Sequence, residues 1–331
     1  MLSINKILKF ILVLQILIIK FTYAYAAEES FQDWLFSYKK MALKKGISEE
    51  TLYIAFENVK FLDQVIKYDR KQPEFFEDTK TYVEKRANAS RVKTARKLLK
   101  KNNKLFNEVE SKFFVEKEIL LSLWGIETNF GRHVGKMDII SSLATLSYDK
   151  RRRDFFSSQL LTLLKLIDKK IIDPSTLYGS WAGAYGNFQF MPTTIESYAI
   201  DYDNNNKIEL KSSLGDALAS AANYINSIGW NKGEPCFFRV KLTNKIKDKY
   251  INSSARTISN RLRIKKWKKK GIINFDGSDL KTNLKAALIL PDGKPDTPAF
   301  LVFENYEKIL KWNRSLRFGI SVCTLANMIK T

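Results

Sequence analysis

A single carboxylate stands among large apolar side chains in the stretch from Leu120 to Gly131, and it is the first candidate for catalysis. At 3.6 residues per turn, Glu127 shares one helix stripe with Leu123 and Trp124, so we expect it on the buried face. Gly131 is a predicted C-cap, which places Glu127 in the last helical turn. Burial and the helix dipole there both raise the pKa of a carboxyl group, as a general acid requires. The alternative is a structural Glu paired with an Arg or Lys.

A second stretch, residues 179–192, combines glycines, hydroxyl residues, an amide and aromatic residues. It reads Gly-Ser-Trp-Ala-Gly-Ala-Tyr-Gly-Asn-Phe-Gln-Phe-Met-Pro. Small residues let the backbone approach a ligand closely, and aromatic faces stack on sugar rings. The composition therefore predicts a saccharide groove, although any one of these glycines alone is equally typical of a structural turn.

Together the two stretches resemble the lytic murein transglycosylases, in particular the membrane-bound lytic transglycosylase B family of the lysozyme-like superfamily. Glu-Thr-Asn-Phe-Gly matches the family's catalytic motif, residues 179–192 match its second motif, and the resemblance extends from about Phe31 to the C-terminus. It implies that Glu127 is the sole catalytic acid and base. The expected reaction cleaves the bond between N-acetylmuramic acid and N-acetylglucosamine and leaves a 1,6-anhydro ring, with the muramic C6 hydroxyl as nucleophile.

Two other functions stay open for the same residues. A lysozyme-type hydrolase would use Glu127 with water as the nucleophile, although glycosidases usually need a second carboxylate and neither stretch supplies one. A non-catalytic wall-binding protein of the same fold would not need Glu127 at all.

The resemblance also assigns substrate-binding roles. Ser180 and Gln189 would hold the N-acetylated sugars, and an Arg pair would contact the peptide stem of peptidoglycan. Trp312 stands where the family usually has Tyr, so any role of a hydroxyl there is in doubt. The full expected set is Ser180, Gln189, Tyr224, Trp312, Asn313, Arg151 and Arg152.

Residues 201–209 resemble the EF-hand-like cation loop of the same family. Oxygen ligands at alternate positions suit calcium, or sodium, in a structural role, and the reaction itself requires no cofactor. Asn206 occupies the usual glycine position and Ser212 replaces the usual bidentate Glu, and an Asx-rich turn without a metal is the alternative. The expected ligands are Asp201, Asp203, Asn205, the Lys207 carbonyl and Asp216.

The N-terminus has the parts of a secretory signal peptide. Lys6 and Lys9 precede an apolar run over residues 10–19, and Ala24-Tyr25-Ala26 follows. We expect export to the periplasm with cleavage after about Ala26. The apolar run is too short to span a membrane, no Cys follows it to carry a lipid anchor, and no later stretch is apolar enough to span.

The composition bounds the partners and the chemistry. The 331 residues are 45% hydrophobic and 13% aromatic, enough for a substantial core, and the net charge of +21 favours polyanionic partners. An exported protein mostly meets anionic lipid and acidic cell-wall polymers, and not nucleic acid. The expected partners are peptidoglycan glycan strands and, as a further expectation, other cell-wall enzymes. The single His133 lacks partners for a zinc site or a Ser/His triad, which argues against both kinds of hydrolase.

The cysteines leave two alternatives. Cys236 and Cys323 are 87 positions apart, and an oxidising compartment permits a disulfide between them. Because free Cys is also a common small core residue, we favour two free thiols.

The sequence predicts an α+β protein that is mainly helical, with a lysozyme-like catalytic core, an N-terminal helical region and a small β-containing insert. The boundaries are 1–26 for the signal peptide, 27–104 for the helical region, 105–235 with 300–331 for the core and 236–299 for the insert. Apolar periodicity predicts a long polar helix over 78–101, helices from 192 and over 214–228, and a final helix over 316–329. Short apolar runs predict strands at 237–240, 272–275, 286–290 and 300–303, and a break is expected at Pro73. Leu262, Ile264 and Trp267 are expected to dock a cationic helix on the insert.

Overall fold

The computed structural model describes residues 29–71 and 77–331, so the signal peptide and the break at Pro73 lie outside the described residues. The described chain is mainly helical with a small sheet, which confirms the predicted fold class. Its α-helices are α1 (Phe31–Lys44), α2 (Glu49–Phe56), α3 (Asp63–Arg70), α4 (Thr79–Arg86), α5 (Ala89–Lys101), α6 (Asn103–Phe113), α7 (Lys117–Thr128), α8 (Ile139–Tyr148), α9 (Arg153–Asp168), α10 (Pro192–Tyr198), α11 (Leu214–Ser227), α12 (Ile264–Lys268), α13 (Glu304–Trp312) and α14 (Leu316–Lys330).

The described residues 29–46 belong to the first of two compact units and contain α1. Ser30 caps this helix, because its hydroxyl oxygen accepts a hydrogen bond from the backbone N–H of Asp33 at 3.2 Å. One turn apart on the helix, the rings of Trp34 and Tyr38 contact each other with their centroids 5.1 Å apart.

Residues 47–331 form the second unit, and α7 is its central helix. Every residue of α7 from Ile119 to Gly125 is buried. The last helix, α14, packs along α7, and α8 packs against α9 beside them. A helix that is apolar all round is stable only when neighbours cover every side, so the sequence of α7 itself demands this arrangement.

The insert is a sheet with a hydrophobic core of its own. Outside the insert, β1 (Met137–Asp138) and β2 (Tyr178–Gly179) form an antiparallel pair. The strands of the insert are β3 (Phe237–Leu242), β4 (Ile251–Asn252), β5 (Leu262–Arg263), β6 (Ile272–Asn274), β7 (Lys285–Ile289) and β8 (Ala299–Val302). The order is β4-β7-β8-β3-β6, with β5 also paired to β7. The pairs are antiparallel except β4 with β7. All four predicted strands are confirmed, whereas β4 and β5 are only two residues long and have no detectable alternation.

A short cationic helix docks on this sheet. Ile264 and Trp267 of α12 are buried in the insert core, and the Trp267 indole N–H donates to the Ala286 carbonyl at 2.8 Å. The prediction is therefore confirmed for these two residues, while Leu262 lies in β5 and is partly buried. The stated boundaries between the regions remain a prediction.

Two predictions about the chain are wrong. The single polar helix over 78–101 is two helices, α4 and α5, because the Asn88 side chain accepts from the Arg91 N–H at 3.0 Å and so starts a new helix. Cys236 and Cys323 are not free thiols but form a disulfide. Their Cα atoms lie 6.1 Å apart, because the entry to β3 meets α14 there, and spacing along the sequence does not reveal that contact.

Among the described residues, no helix is both long enough and apolar enough to cross a membrane.

Candidate active site

Glu127 lies in the last turn of α7, as predicted, and its side chain is half-buried. The helix ends earlier than expected: Thr128 is its last residue, and the cap is Asn129, with a φ of 50°, instead of Gly131. Asn tolerates this left-handed conformation because its short polar side chain can bond locally. The chain then turns back, so that the Phe130 ring covers Gly125, where a Cβ atom would lie 2.7 Å from the ring. The turn opens the end of the helix beside Glu127.

A buried amide joins the two sequence motifs. The Asn187 Oδ1 atom accepts from the Trp124 indole N–H at 2.9 Å, and the Asn187 carbonyl accepts from the Thr128 hydroxyl at 2.8 Å. Its Nδ2 donates to the carbonyls of Leu210 and Lys211, both at 3.1 Å. Sequence reasoning missed this role of Asn187. The one available signal was a polar residue between the aromatic residues of the second motif.

Glu127 receives a hydrogen bond from the far end of the chain. The Trp312 indole Nε1 donates to Glu127 Oε1 at 2.9 Å, from the last residue of α13. An indole N–H can donate but not accept, so this contact favours the charged carboxylate. The sequence-predicted residues Glu127 and Trp312 are thus brought together, and Trp312 supplies a donor although it lacks a hydroxyl.

Aromatic rings continue from Trp312 away from Glu127. Tyr224 stacks on Trp312 with centroids 5.1 Å apart, and Tyr198 stacks on Tyr224 at 4.5 Å. Phe190 meets the Trp312 ring edge-on at 5.2 Å. The Tyr224 hydroxyl donates to the Lys311 carbonyl at 3.1 Å, and burial raises the pKa of Tyr224, so its phenol stays neutral. Sequence reasoning identified Tyr224 and missed Tyr198. Asn313 directly follows Trp312, ends α13 and is half-buried.

Ser180 and Gln189 shape the glycine-rich loop. Ser180 Oγ accepts from the N–H groups of Ala182 and Ala184, at 3.3 and 3.0 Å. Gln189 has a φ of 52°, and its side-chain amide donates to the carbonyl of Gly186 at 2.9 Å. Both side chains are half-buried. These bonds hold the loop, and the predicted sugar contacts of the two residues remain a prediction.

The predicted arginine pair is tied to one buried carboxylate. Arg151 Nε donates to Asp69 Oδ2 at 2.8 Å, and Arg152 forms an ion pair with Asp69 Oδ1. Asp69 is 2% exposed, and Arg70 also pairs with it. A guanidinium presents five N–H donors, so both arginines keep donors beyond those that Asp69 takes. Asp69 was not identified from the sequence, since it lies about eighty positions before the pair.

Three of the predicted cation ligands converge. Carboxylate oxygens of Asp201, Asp203 and Asp216 lie within 4.8 Å of one another. Asp216 is fully buried and accepts from the N–H groups of Tyr202 and Glu209, at 3.0 and 2.9 Å. Desolvation raises the pKa of Asp203, and the charges of Asp216 and Asp201 raise it further. The three carboxylates repel one another, and a calcium ion, which prefers oxygen ligands, would offset that repulsion.

The remaining part of the loop is an Asx turn. Asn205 Oδ1 accepts from the Lys207 N–H at 2.8 Å, so the predicted ligand oxygen of Asn205 already has a local partner. Asn206 has a φ of 67°, the conformation that a glycine usually supplies at this position. Both the turn and the carboxylate cluster are therefore present, and metal ligation by Asn205 and Lys207 remains a prediction.

Comparison with known proteins agrees with this arrangement. In Escherichia coli (strain K12), membrane-bound lytic murein transglycosylase B is 42% identical to this chain over 121 residues, which are 36% of this chain and 33% of that relative's length. The crystal structure of SltB3 from Pseudomonas aeruginosa, in complex with NAG-anhNAM-pentapeptide, is 35% identical and superposes with a TM-score of 0.84, covering 91% of this chain and 80% of that one. The Escherichia coli lytic transglycosylase Slt35 in complex with calcium is 27% identical, with a TM-score of 0.75 and coverage of 92% and 94%.

A family model completes the comparison. The Transglycosylase SLT domain model matches residues 30–327, which include both motifs, the cation loop, the insert and α13. The match covers the greater part of the chain and every element that contributes to the site. The chain therefore belongs to the transglycosylase SLT domain family.

Proposed function

We propose that this protein is a peptidoglycan lytic transglycosylase that uses Glu127 first as acid and then as base. It cleaves the β-1,4 bond between N-acetylmuramic acid and N-acetylglucosamine. The observation that carries the proposal is the hydrogen bond from Trp312 to Glu127, at the end of a row of stacked aromatic rings. Two similar proteins, from Escherichia coli, bear the name lytic transglycosylase, and SltB3, which is also similar, was solved in complex with NAG-anhNAM-pentapeptide.

The reaction needs one carboxyl group and no water. Glu127 gives its proton to the glycosidic oxygen, the bond to C1 breaks, and N-acetylglucosamine leaves with a free hydroxyl. The muramic C6 hydroxyl then attacks C1 and closes the 1,6-anhydro ring, and its proton passes to Glu127. The carboxylate exists between the two steps, when the indole N–H of Trp312 stabilises it.

The other predicted residues bind the glycan strand. Tyr224, which is stacked on Trp312 and Tyr198, offers its ring edge to the glycan, and the row of rings forms an apolar wall against which sugar rings pack. Ser180, Gln189 and Asn313 carry polar groups that suit N-acetyl and hydroxyl groups. The remaining donors of Arg151 and Arg152 suit carboxylates of the peptide stem.

The cation cluster has a structural role in this proposal. Asp201, Asp203 and Asp216 would hold calcium, as in the relative solved in complex with calcium, and the ion would stiffen the loop that Asn187 ties to α7. No step of the reaction involves the ion.

The protein acts in the periplasm, after a signal peptide is removed beyond Ala26, and without a lipid anchor. The basic start, apolar run and Ala-x-Ala site support this. Mass spectrometry of the protein from a native envelope should identify Ala27 as the first residue. A lipidated N-terminus or an intact Met1 would contradict it.

The central test compares Glu127→Gln with Glu118→Gln, a matched change on the same helix. Purified sacculi are digested and the muropeptides identified by mass. Glu127→Gln should lose at least about 10²-fold in rate, because the amide has no proton to transfer, while Glu118→Gln keeps wild-type activity. Products of the wild type should end in 1,6-anhydro-N-acetylmuramic acid.

Three outcomes would contradict the proposal. More than a tenth of the wild-type rate in Glu127→Gln would remove Glu127 from the mechanism. Ordinary reducing ends would make the enzyme a lysozyme-type hydrolase with the same acid. Binding to sacculi without any cleavage would favour the wall-binding alternative.

A further inference from the structure

The insert carries a large share of the positive charge of the chain. Residues 236–299 contain sixteen Lys and Arg against five Asp and no Glu, a formal charge of +11 in a protein of +21. The catalytic proposal gives this charge no role. A concentrated field of one sign attracts polyanions and raises their local concentration.

One face of the sheet combines this charge with exposed apolar side chains. Ile273 and Phe275, on β6 and just beyond it, are 43% and 40% exposed, although large apolar side chains are usually buried. On the neighbouring strand β3, Arg239 and Lys241 are exposed as well. These four residues are called the β3–β6 outer face.

The four residues form one continuous patch. Lys241 is the register partner of Ile273, and the Phe275 N–H bonds the Arg239 carbonyl at 3.0 Å. The Arg239 guanidinium lies 3.7 Å, and the Lys241 ammonium 4.7 Å, from the centre of the Phe275 ring. Val240, between the two cations, points to the opposite side and is buried in the insert core. The alternation of β3 therefore places its cations on the solvent side.

A cleft adjoins this face. A cleft of about 460 Å³ lies beside Arg239, Lys241 and Phe275, closed on the other side by residues 295–298. Asp296 also lines this cleft, so the cations, and not the cleft alone, must supply the attraction for an anion.

We propose that the β3–β6 outer face binds the surface of an anionic phospholipid bilayer. Interfacial binding requires apolar side chains that enter the headgroup boundary, with Lys and Arg beside them for the lipid phosphates. Ile273 and Phe275 supply the first, and Arg239 and Lys241 the second. This surface lies outside the residues of the proposed reaction, so it adds attachment to a membrane and not a second activity.

The geometry of Phe275 argues against a nucleic acid or a sugar chain as the ligand. Nucleic-acid bases and sugar rings both stack flat on open aromatic faces. The Phe275 ring is not open in this way, because the Arg239 and Lys241 cations already lie over it. A lipid boundary instead accepts an aromatic ring together with its cations, because the cations reach the phosphates while the ring stays at the apolar boundary.

The test is co-sedimentation of the mature chain, residues 27–331, with vesicles of phosphatidylglycerol and phosphatidylcholine, and with vesicles of phosphatidylcholine alone. We expect binding to the anionic vesicles only, weakened by salt. Lys241→Gln with Phe275→Ser should bind at least about tenfold more weakly, since each cation near the surface and each apolar group contributes. The matched control is Lys97→Gln with Lys100→Gln on α5, which removes two exposed charges outside the insert.

Digestion of purified sacculi checks that each variant is folded, and both variants should keep the wild-type rate. Absence of vesicle binding, or equal weakening in the α5 control, would overturn the proposal. So would tighter binding to single-stranded DNA than to vesicles at equal salt, or a loss of sacculus binding in the Lys241 and Phe275 variant. A failure of catalysis in the wild type would overturn the proposed function and leave the vesicle result intact.

Discussion

Replacing Trp312 by Phe removes the N–H that reaches Glu127 and keeps an aromatic ring in the stack. The hydrogen bond is 2.9 Å long and joins two half-buried side chains. A hydrogen bond to a charged group is worth about 1.5–3 kcal/mol, and we take the lower value because both groups are partly solvated. The carboxylate formed between the two steps then loses about 1.5 kcal/mol, so kcat should fall about tenfold.

The pH dependence distinguishes this effect from a packing defect. Without the donor, the carboxyl group holds its proton to higher pH, because an N–H favours the charged form. The basic limb of the kcat profile should therefore move to higher pH. The assay is release of anhydro-muropeptides from sacculi between pH 4 and pH 9.

A second Trp–Glu hydrogen bond supplies the control. The Trp230 indole donates to Glu116 Oε2 at 2.7 Å, at the opposite end of α7. Glu116 and Glu127 are eleven positions apart on the helix, about 16 Å at 1.5 Å per residue. Trp230→Phe should lower the melting temperature and leave the pH profile unchanged. If Trp312→Phe keeps both kcat and the basic limb, or if Trp230→Phe moves that limb equally, the reasoning about Trp312 is wrong.

Three further predictions concern stability. Without calcium, the raised pKa of Asp203 means that this residue stabilises the fold less as the pH rises from about 4 through that raised value. Calcium should therefore raise the melting temperature more at pH 7 than at pH 4. An equal rise in melting temperature at both pH values, or any rise in the Asp216→Asn variant, would count against the site. Asn187→Ala leaves the buried Trp124 indole without its acceptor and should cost about 2 kcal/mol or more in urea unfolding, and a loss below about 0.5 kcal/mol would show that water replaces the amide. Opening the 87-position disulfide loop by Cys236→Ser with Cys323→Ser should lower the unfolding free energy by about 4.6 kcal/mol in the chain-entropy treatment, and unchanged urea midpoints would refute it.

Local sequence patterns were sufficient to predict individual helices and strands. The position of Glu127 in the last turn of α7 followed from 3.6-residue periodicity, because that period depends only on neighbours in the chain. The four longer strands of the insert followed from short apolar runs in the same way. The helix end was predicted two residues late, because Asn129 adopts the left-handed conformation that was expected of Gly131.

Contacts between distant segments could not be predicted in this way. Asn187 bonds Trp124 across 63 positions, and Asp69 orients Arg151 across 82 positions. The residue type does not identify the hydrogen-bond partner, since a buried Asn or Asp can accept a hydrogen bond from any donor that the fold brings near. The disulfide depends in the same way on where β3 meets α14. For Trp312, the family resemblance identified the position, and the structure supplied the atom that bonds Glu127.

The hydrogen bond between Trp312 and Glu127 also determines when the site is complete during synthesis. The two residues are 185 positions apart, and the whole insert lies between them. A chain that grows from its N-terminus therefore contains the acid and the glycine-rich loop well before it contains the donor. A nascent or broken chain that stops within the insert would carry both motifs without a finished catalytic centre. In such a chain Glu127 would lack the indole donor that bonds its carboxylate in the complete fold.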